Sequence, residues 1–147
     1  MSAKIIMLVE DNPDDEELTL LALKKNRILN EVVIARDGAE ALEMLFGDGP
    51  HAFPARGIMP AVVLLDLNLP KVGGLEVLQR IRREASTRML PVVILTSSKE
   101  EKDLIESYAH GCNSYVRKPV DFEAFVKATR ELGFYWLLLN EAPPRKP

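Results

Sequence analysis

Five short apolar runs divide the chain, and each run ends at polar residues that favour a turn. Runs of Val, Ile and Leu this short are typical of strands that are buried on both faces of a sheet. The runs cover residues 4–9, 31–35, 62–65, 92–95 and 114–116. Segments with apolar residues at helical spacing, such as Leu75, Leu78 and Ile81, follow the runs. The alternation predicts an α/β fold in which a doubly wound, five-stranded parallel sheet carries helices on both faces.

The predicted helices begin at residues whose side chains accept hydrogen bonds from free backbone N–H groups. Asp14 and Ser98 each resemble a capping box, because a Glu follows three residues later. Asp37 and Asp121 are predicted to cap two further helices, and Gly111 is predicted to end one. Residues 47–60 hold three Gly and three Pro, which predicts a long irregular connection.

Composition sets limits on function. The 147 residues are 47% hydrophobic and 28% charged, which fits a single globular domain over residues 1–140 with a disordered tail at 141–147. The net charge of −3 offers no basic face for nucleic acid, and the single cysteine fits a reducing compartment. No stretch approaches the ~20 apolar residues of a membrane span, and no signal peptide is evident. A cytoplasmic protein that contacts neither nucleic acid nor membrane is predicted.

Charged or polar side chains that could bind a ligand follow four of the five predicted strands. The carboxyl ends of parallel strands meet at one edge of a sheet, where open α/β sheets bind their ligands. In strand order the side chains are Glu10 and Asp11, then Asp66 and Asn68, then Thr96, and finally Lys118. We therefore expect three carboxylates, a hydroxyl and one ammonium group at the same edge.

These charges indicate phosphate chemistry on a metal ion. Two carboxylates about 4 Å apart repel each other by roughly 4 kcal/mol at an effective dielectric constant of about 20. A hard divalent cation relieves this repulsion, and oxygen ligands favour Mg²⁺ over Zn²⁺. Asp66 is the candidate nucleophile, since a carboxylate can form an aspartyl phosphate. Thr96 and Lys118 are candidate partners of the other phosphoryl oxygens. Because there is no P-loop or Gly-x-Gly-x-x-Gly motif, a bound nucleotide has no support.

With these residues in view, the sequence resembles the receiver domains of bacterial two-component response regulators, which are CheY-like domains. The motifs that carry the resemblance are VEDNP, LLDLNLP, LTSS and YVRKPV, within about residues 4–135. The resemblance implies a flavodoxin-like sheet of order 2-1-3-4-5. It also implies a signalling protein whose own chemistry is limited to phosphotransfer and autodephosphorylation, rather than a general enzyme.

The resemblance assigns roles to the strand-end residues. Asp66 would accept a phosphoryl group from the phosphohistidine of a histidine kinase. Asp11 and Asp66 would bind Mg²⁺ directly, the backbone carbonyl of Asn68 would be a further ligand, and Glu10 would act mainly through water. Thr96 and Lys118 would bind the phosphoryl group. Tyr115 would be the switch aromatic, although its sequence position alone indicates only a strand aromatic.

The last helix is apolar around its whole circumference near its end, where a helix on a sheet needs one apolar face. This surplus favours a partner surface, and we predict a homodimer through the last helix. The residues are Phe134, Tyr135, Trp136, Leu137, Leu138 and Leu139. The same ending resembles the single-domain regulators that are partnered with bacteriophytochrome-type histidine kinases, and no output domain is expected.

Three alternatives stay open from the sequence. A phosphorelay intermediate would pass the phosphoryl group to a histidine phosphotransfer protein. A phosphohydrolase with an aspartate nucleophile usually carries a second Asp two residues later, where this chain has Asn68. A flavin- or nucleotide-binding domain would need a phosphate-cradling loop, which is absent from the sequence.

Overall fold

The computed structural model describes residues 4–97, 100–118 and 122–134, excluding the side chains of 132–134. Its strands are β1 (Ile6–Val9), β2 (Val32–Ala35), β3 (Val62–Leu65), β4 (Val92–Thr96) and β5 (Ser114–Arg117). Its helices are α1 (Pro13–Lys25), α2 (Gly38–Phe46), α3 (Phe53–Arg56), α4 (Gly74–Arg83), α5 (Glu101–Ala109) and α6 (Phe122–Phe134). All five predicted strands are present, and their ends differ from the predicted ones by at most two residues.

The strands form one parallel sheet in the order β2-β1-β3-β4-β5, which confirms the predicted fold class and strand order. In the centre of the sheet, Val9 of β1 pairs with Leu65 of β3. The residues that follow this pair, Glu10 and Asp66, therefore leave the sheet side by side. The register thus brings the first and third strand ends together.

The central strands β1, β3 and β4 are buried along their whole length, as their apolar sequences require. Successive side chains point to opposite faces, so each strand contributes to two cores. Met7, Val63 and Ile94 pack on the face covered by α2, α3 and α4. Ile6 and Leu64 pack on the other face, together with Leu23 of α1.

On that second face α1 also contacts α6. The Asn26 side-chain amide donates to the Val126 carbonyl at 2.9 Å, and Lys25 pairs with Glu123 at 3.2 Å. No helix within the described ranges is long and apolar enough to cross a membrane.

The prediction of an irregular connection over residues 47–60 is wrong in part, because α3 lies within it. Phe53 of α3 is only 1% exposed and belongs to the main core. Pro54 suits the first turn of a helix, and Gly57 ends the helix in the left-handed conformation at φ +69°. Burial of Phe53 therefore orders a segment whose Gly and Pro content indicated a loop.

Two predicted helix caps are wrong. Asn12, not Asp14, caps α1, and its Oδ1 accepts from the backbone N–H of Asp14 at 2.8 Å and Asp15 at 3.2 Å. The reason is that Pro13 occupies the first helical position, which its fixed φ favours. The N-cap of α5 is Glu100, and Ser98 lies outside the described residues.

Other predicted helix ends have mixed outcomes. Asp37 caps α2 as predicted, since its side chain accepts from the Glu40 N–H at 2.7 Å. Gly111 follows the end of α5 at φ +91°, as predicted for a helix stop. The predicted cap Asp121 lies outside the described residues, as does the tail.

Candidate functional site

Three carboxylates meet at the carboxyl edge of the sheet. Glu10 and Asp11 follow β1, and Asp66 follows β3, so the parallel register brings them together. Each residue offers an oxygen, and these oxygens all lie within 4.8 Å of one another. The Glu10 side chain is 2% exposed and the Asp66 side chain 8%, whereas Asp11 faces solvent. The set contains only hard oxygen donors, which suits Mg²⁺, Mn²⁺ or Ca²⁺.

Lys118 reaches this cluster from the end of β5. Its ammonium group donates a short hydrogen bond to Glu10 Oε1 and contacts Asp66 Oδ2 at 3.2 Å. The same ammonium contacts Asp15 Oδ2 in the first turn of α1 at 3.1 Å. The Lys118 N–H also donates to the Thr96 carbonyl at 2.8 Å, so β4 fixes the backbone from which the side chain extends.

Burial and charge oppose each other in this cluster. Burial raises the pKa of Glu10 to about 7, and repulsion from Asp66 adds to the rise, while Lys118 opposes it. Burial alone would lower the pKa of Lys118. The hydrogen bond to Glu10 and the charges of Asp66 and Glu10 outweigh burial, so the pKa of Lys118 lies above its ordinary value. Lys118 is therefore cationic, and its charge holds the three facing acids in place.

The loop after Asp66 is tightly folded against the site. The Asn68 N–H donates to Asp66 Oδ1 at 3.2 Å, which fixes the carboxylate relative to the backbone. The Gly74 N–H donates to the Leu67 carbonyl at 3.0 Å. A Cβ atom at Gly74 would lie 2.2 Å from the Asp66 carbonyl oxygen, so only glycine permits this approach.

Residues 6–130 match the family model described as the response regulator receiver domain. The chain belongs to this family. Receiver domains act with histidine kinases in two-component signalling, and in general they are signalling proteins rather than enzymes. The matched range lies within the single domain predicted over residues 1–140.

Several relatives of known structure resemble this receiver domain. The phosphorylated cyanobacterial phytochrome response regulator RcpA is 36% identical with a TM-score of 0.88, covering 97% of this chain and 100% of that chain. The bacteriophytochrome response regulator AtBRR is 55% identical with a TM-score of 0.76, covering 96% and 100%. The response regulator Rcp1 of Synechocystis sp. is 38% identical over 134 residues, covering 91% of this chain and 89% of Rcp1.

Rcp1 is also known in a Mn²⁺-bound form, which is 36% identical with a TM-score of 0.85, covering 96% of this chain and 99% of that chain. In this receiver domain, the cluster of Glu10, Asp11 and Asp66 is suited to a divalent cation because it offers three carboxylate oxygens. The donor oxygens alone do not distinguish Mg²⁺ from Mn²⁺.

The remaining predicted site residues, Thr96 and Tyr115, lie on β4 and β5. Thr96 is fully buried at the end of β4, the strand between β3 and β5. Tyr115 on β5 is half-buried, pairs with Ile94 of β4 and packs against the main core. Of the predicted dimer surface, 135–139 and the Phe134 side chain lie outside the described residues.

Sequence reasoning missed Asp15. Its partner Lys118 lies 103 positions away in the chain, so no local spacing relates the two. The available signal was the short distance from β1 to α1. A helix that begins directly after a site strand turns its first residues toward the site, and Asp15 lies in that first turn.

Proposed function

We propose that this receiver domain accepts a phosphoryl group on Asp66 from the phosphohistidine of a histidine kinase, in a reaction that requires Mg²⁺. The observation that carries the proposal is the setting of the Asp66 carboxylate. It is almost buried at the end of β3, it faces the Lys118 ammonium at 3.2 Å, and it shares a cation-binding cluster with Glu10 and Asp11. The signal is a change in conformation or association.

Each residue has a distinct part in this reaction. Asp11, Asp66 and the Asn68 carbonyl hold the cation, with Glu10 acting mainly through water. When bound, Mg²⁺ neutralises charge on the phosphoryl oxygens. An Asp66 carboxylate oxygen forms the new bond to phosphorus while the bond from phosphorus to the histidine nitrogen breaks, and the histidine, protonated on its other ring nitrogen, leaves as neutral imidazole.

The remaining partners bind the product and transmit the signal. Lys118 supplies a point charge to a phosphoryl oxygen, and the Thr96 hydroxyl donates to another. Movement of Thr96 toward the phosphoryl group opens space for Tyr115 to turn inward. Thr96 and the Tyr115 backbone lie on neighbouring strands, which supports a coupling between the two.

A small phosphodonor such as acetyl phosphate tests the proposal directly. With Mg²⁺ present, the intact mass of the wild type should increase by one phosphoryl group, and peptide mapping should locate it on Asp66. Asp66→Asn should gain no mass, because the amide is not a nucleophile. Asp14→Asn, which changes an exposed acid near the site, is the matched control and should be modified like the wild type. Equal modification of Asp66→Asn would overturn the proposal.

The cognate kinase is proposed to be of the bacteriophytochrome type, with the reaction in the cytoplasm. The support is similarity to AtBRR, RcpA and Rcp1, together with the motifs of the sequence. A purified bacteriophytochrome kinase should phosphorylate this protein much faster than a histidine kinase of an unrelated sensor class does. Equal rates with both kinases would contradict the pairing.

The active form is proposed to be a homodimer through residues 134–139. The support is the surplus of apolar side chains there. Sedimentation equilibrium at tens of micromolar should give a dimer, and Leu138→Glu should give a monomer. Leu29→Glu is the matched control, since Leu29 is an exposed leucine outside the proposed dimer segment of the chain, and it should leave the dimer intact. A wild type that stays monomeric with beryllofluoride bound would exclude the dimer.

A further inference from the structure

Asp15 lies beside the site without belonging to the carboxylate cluster. Among the described residues, the acids placed to share a cation are Glu10, Asp11 and Asp66. Asp15 instead points at Lys118, with its Oδ2 3.1 Å from the ammonium nitrogen. Its backbone N–H is held by the Asn12 cap at 3.2 Å, so the first turn of α1 fixes the residue from which the carboxylate extends.

The ammonium group of Lys118 has three N–H donors, and three carboxylates face it. Two of these acceptors, Glu10 and Asp66, also belong to the cation cluster. When a divalent cation and a phosphoryl group are bound, those two carboxylates interact with other charges as well. Asp15 differs from these two carboxylates, because Lys118 is its one partner among the site groups that the structure describes.

The position of Asp15 in a helix start does not by itself explain this contact. Carboxylates in the first turn interact favourably with the helix dipole, and Asp14 and Glu16 lie in the same turn. Asp14, however, is exposed. The side chain of Asp15 is 36% exposed, and it contacts a lysine that is 8% exposed. Asp15 is therefore distinguished by its partner rather than by its place on the helix.

We propose that Asp15 is a positioning residue that holds the Lys118 ammonium beside Asp66 while the cation and phosphoryl group are bound. The inference rests on the proposed function of Asp66 and Lys118. Without Asp15, the ammonium shifts toward Glu10, its closest partner, and its contact with the phosphoryl group weakens.

Beryllofluoride, which mimics a phosphoryl group, provides the test. Its affinity in the presence of Mg²⁺ is measured by calorimetry for the wild type, Asp15→Ala, Asp15→Asn and Asp14→Ala. We expect about two- to fivefold weaker binding in Asp15→Ala, the range given by a partly exposed ion pair. Asp15→Asn should recover part of the loss, because its amide oxygen still accepts an N–H. Asp14→Ala removes the same charge from the same turn and should bind like the wild type.

A second measurement needs no phosphoryl chemistry. In the metal-free protein, the NMR signal of the Lys118 ammonium is identified by its loss in Lys118→Met. Its protons should exchange with water faster in Asp15→Ala than in Asp14→Ala. The inference requires both results. Asp15→Ala that binds beryllofluoride as tightly as Asp14→Ala, or more tightly, would overturn it, as would equal proton exchange.

These measurements distinguish a failure of the proposed function of Asp66 from a failure of the proposed role of Asp15. If the wild type itself binds no beryllofluoride with Mg²⁺, the proposed function of Asp66 fails. If the wild type binds and Asp66→Asn does not, while Asp15→Ala equals Asp14→Ala, only the role of Asp15 fails. Urea unfolding of each variant confirms that the compared proteins are folded at the temperature of measurement.

Discussion

At the scale of single residues, Lys118 brings positive charge to carboxylates that are also suited to bind a divalent cation. Its ammonium contacts Glu10, Asp15 and Asp66 within an almost buried site. Removing one partner of a buried ion pair leaves uncompensated charge. The lysine and a divalent cation therefore compete for two of the same carboxylates, Glu10 and Asp66.

This competition predicts opposite effects of Lys118→Met on folding and on cation binding. Without metal, the variant should lose about 3 kcal/mol of unfolding free energy. Added Mg²⁺ should stabilise it more than the wild type, because the cation binds the folded state and no longer competes with the ammonium. Urea unfolding with EDTA and with Mg²⁺ measures both effects. Lys102→Met, at an exposed position, should show neither, and equal Mg²⁺ stabilisation of all three proteins would contradict the competition.

Asp37 gives a prediction about pH. The hydrogen bond from the Glu40 N–H and the nearby Lys71 ammonium, 3.4 Å away, lower the pKa of Asp37 below its ordinary 3.8. A lowered folded pKa stabilises the protein above the unfolded pKa, and this stability is lost as pH falls through the folded pKa. Asp37→Asn keeps a capping acceptor but cannot ionise. The difference in urea midpoint between wild type and variant should be constant above about pH 5 and shrink below it. A difference that does not change with pH would contradict this.

At the scale of elements, two adjacent glycines at the start of α4 have different functions. Gly73 is the N-cap, its φ is −70°, it has no side-chain cap, and a Cβ there meets no atom within 4 Å. At Gly74, in contrast, a Cβ atom would lie 2.2 Å from the Asp66 carbonyl oxygen. Gly73→Ser should therefore stabilise the fold by about 0.2–0.5 kcal/mol by adding a cap. Gly74→Ser should destabilise it and weaken Mg²⁺ binding. Urea unfolding and metal titration of the two variants measure this contrast, and equal effects would contradict it.

The helices show how far local sequence patterns can be used. Apolar spacing located α1, α2, α4 and α5, because an amphipathic stripe is a local property. The start of α1 was placed wrongly because Asn12, Asp14 and Asp15 all have side chains able to cap, and only the φ preference of Pro13 decides among them. Helix α3 was missed because its stability comes from the burial of Phe53, which depends on distant residues.

At the scale of the whole molecule, Arg82 connects α4 to the entrances of two strands. Its Nε donates to the Gly111 carbonyl at 2.8 Å and its Nη1 to the Leu90 carbonyl at 2.7 Å. Its Nη2 donates to Asn113 Oδ1 at 2.8 Å, and that oxygen also accepts from the Val92 N–H. One guanidinium thus fixes the starts of β4 and β5, the strands that end at Thr96 and Lys118.

A lysine cannot replace this fork of donors. Arg82→Lys should lower the unfolding free energy by about 2 kcal/mol, because partly buried acceptors lose their donors. Arg83→Lys is the matched control on the exposed side of the same turn and should be within about 0.5 kcal/mol of wild type. Urea denaturation of both variants checks the prediction. Equal stabilities would show that these hydrogen bonds are replaced by water without cost.

The carboxylates of the site could be predicted from the sequence, because each of them directly follows a predicted strand. Glu10, Asp11 and Asp66 follow buried strands, and the parallel register brings those strand ends together. The strand order itself came from the resemblance to a family, because alternation of strands and helices allows several orders. The contact between Asp15 and Lys118 was not predictable, since it depends on how α1 packs relative to β5.

The burial of Phe53 has a consequence for lengthening or shortening the chain. An ordinary surface loop tolerates insertion and deletion, because doubling its length costs only about 0.6 kcal/mol. Residues 47–60 do not have that freedom, since deleting Phe53 would leave a void in the core at a cost of about 3–5 kcal/mol. Any relative with a shorter connection here must fill the space with larger side chains on neighbouring helices. An engineered reporter domain belongs instead next to Leu29, which is 83% exposed.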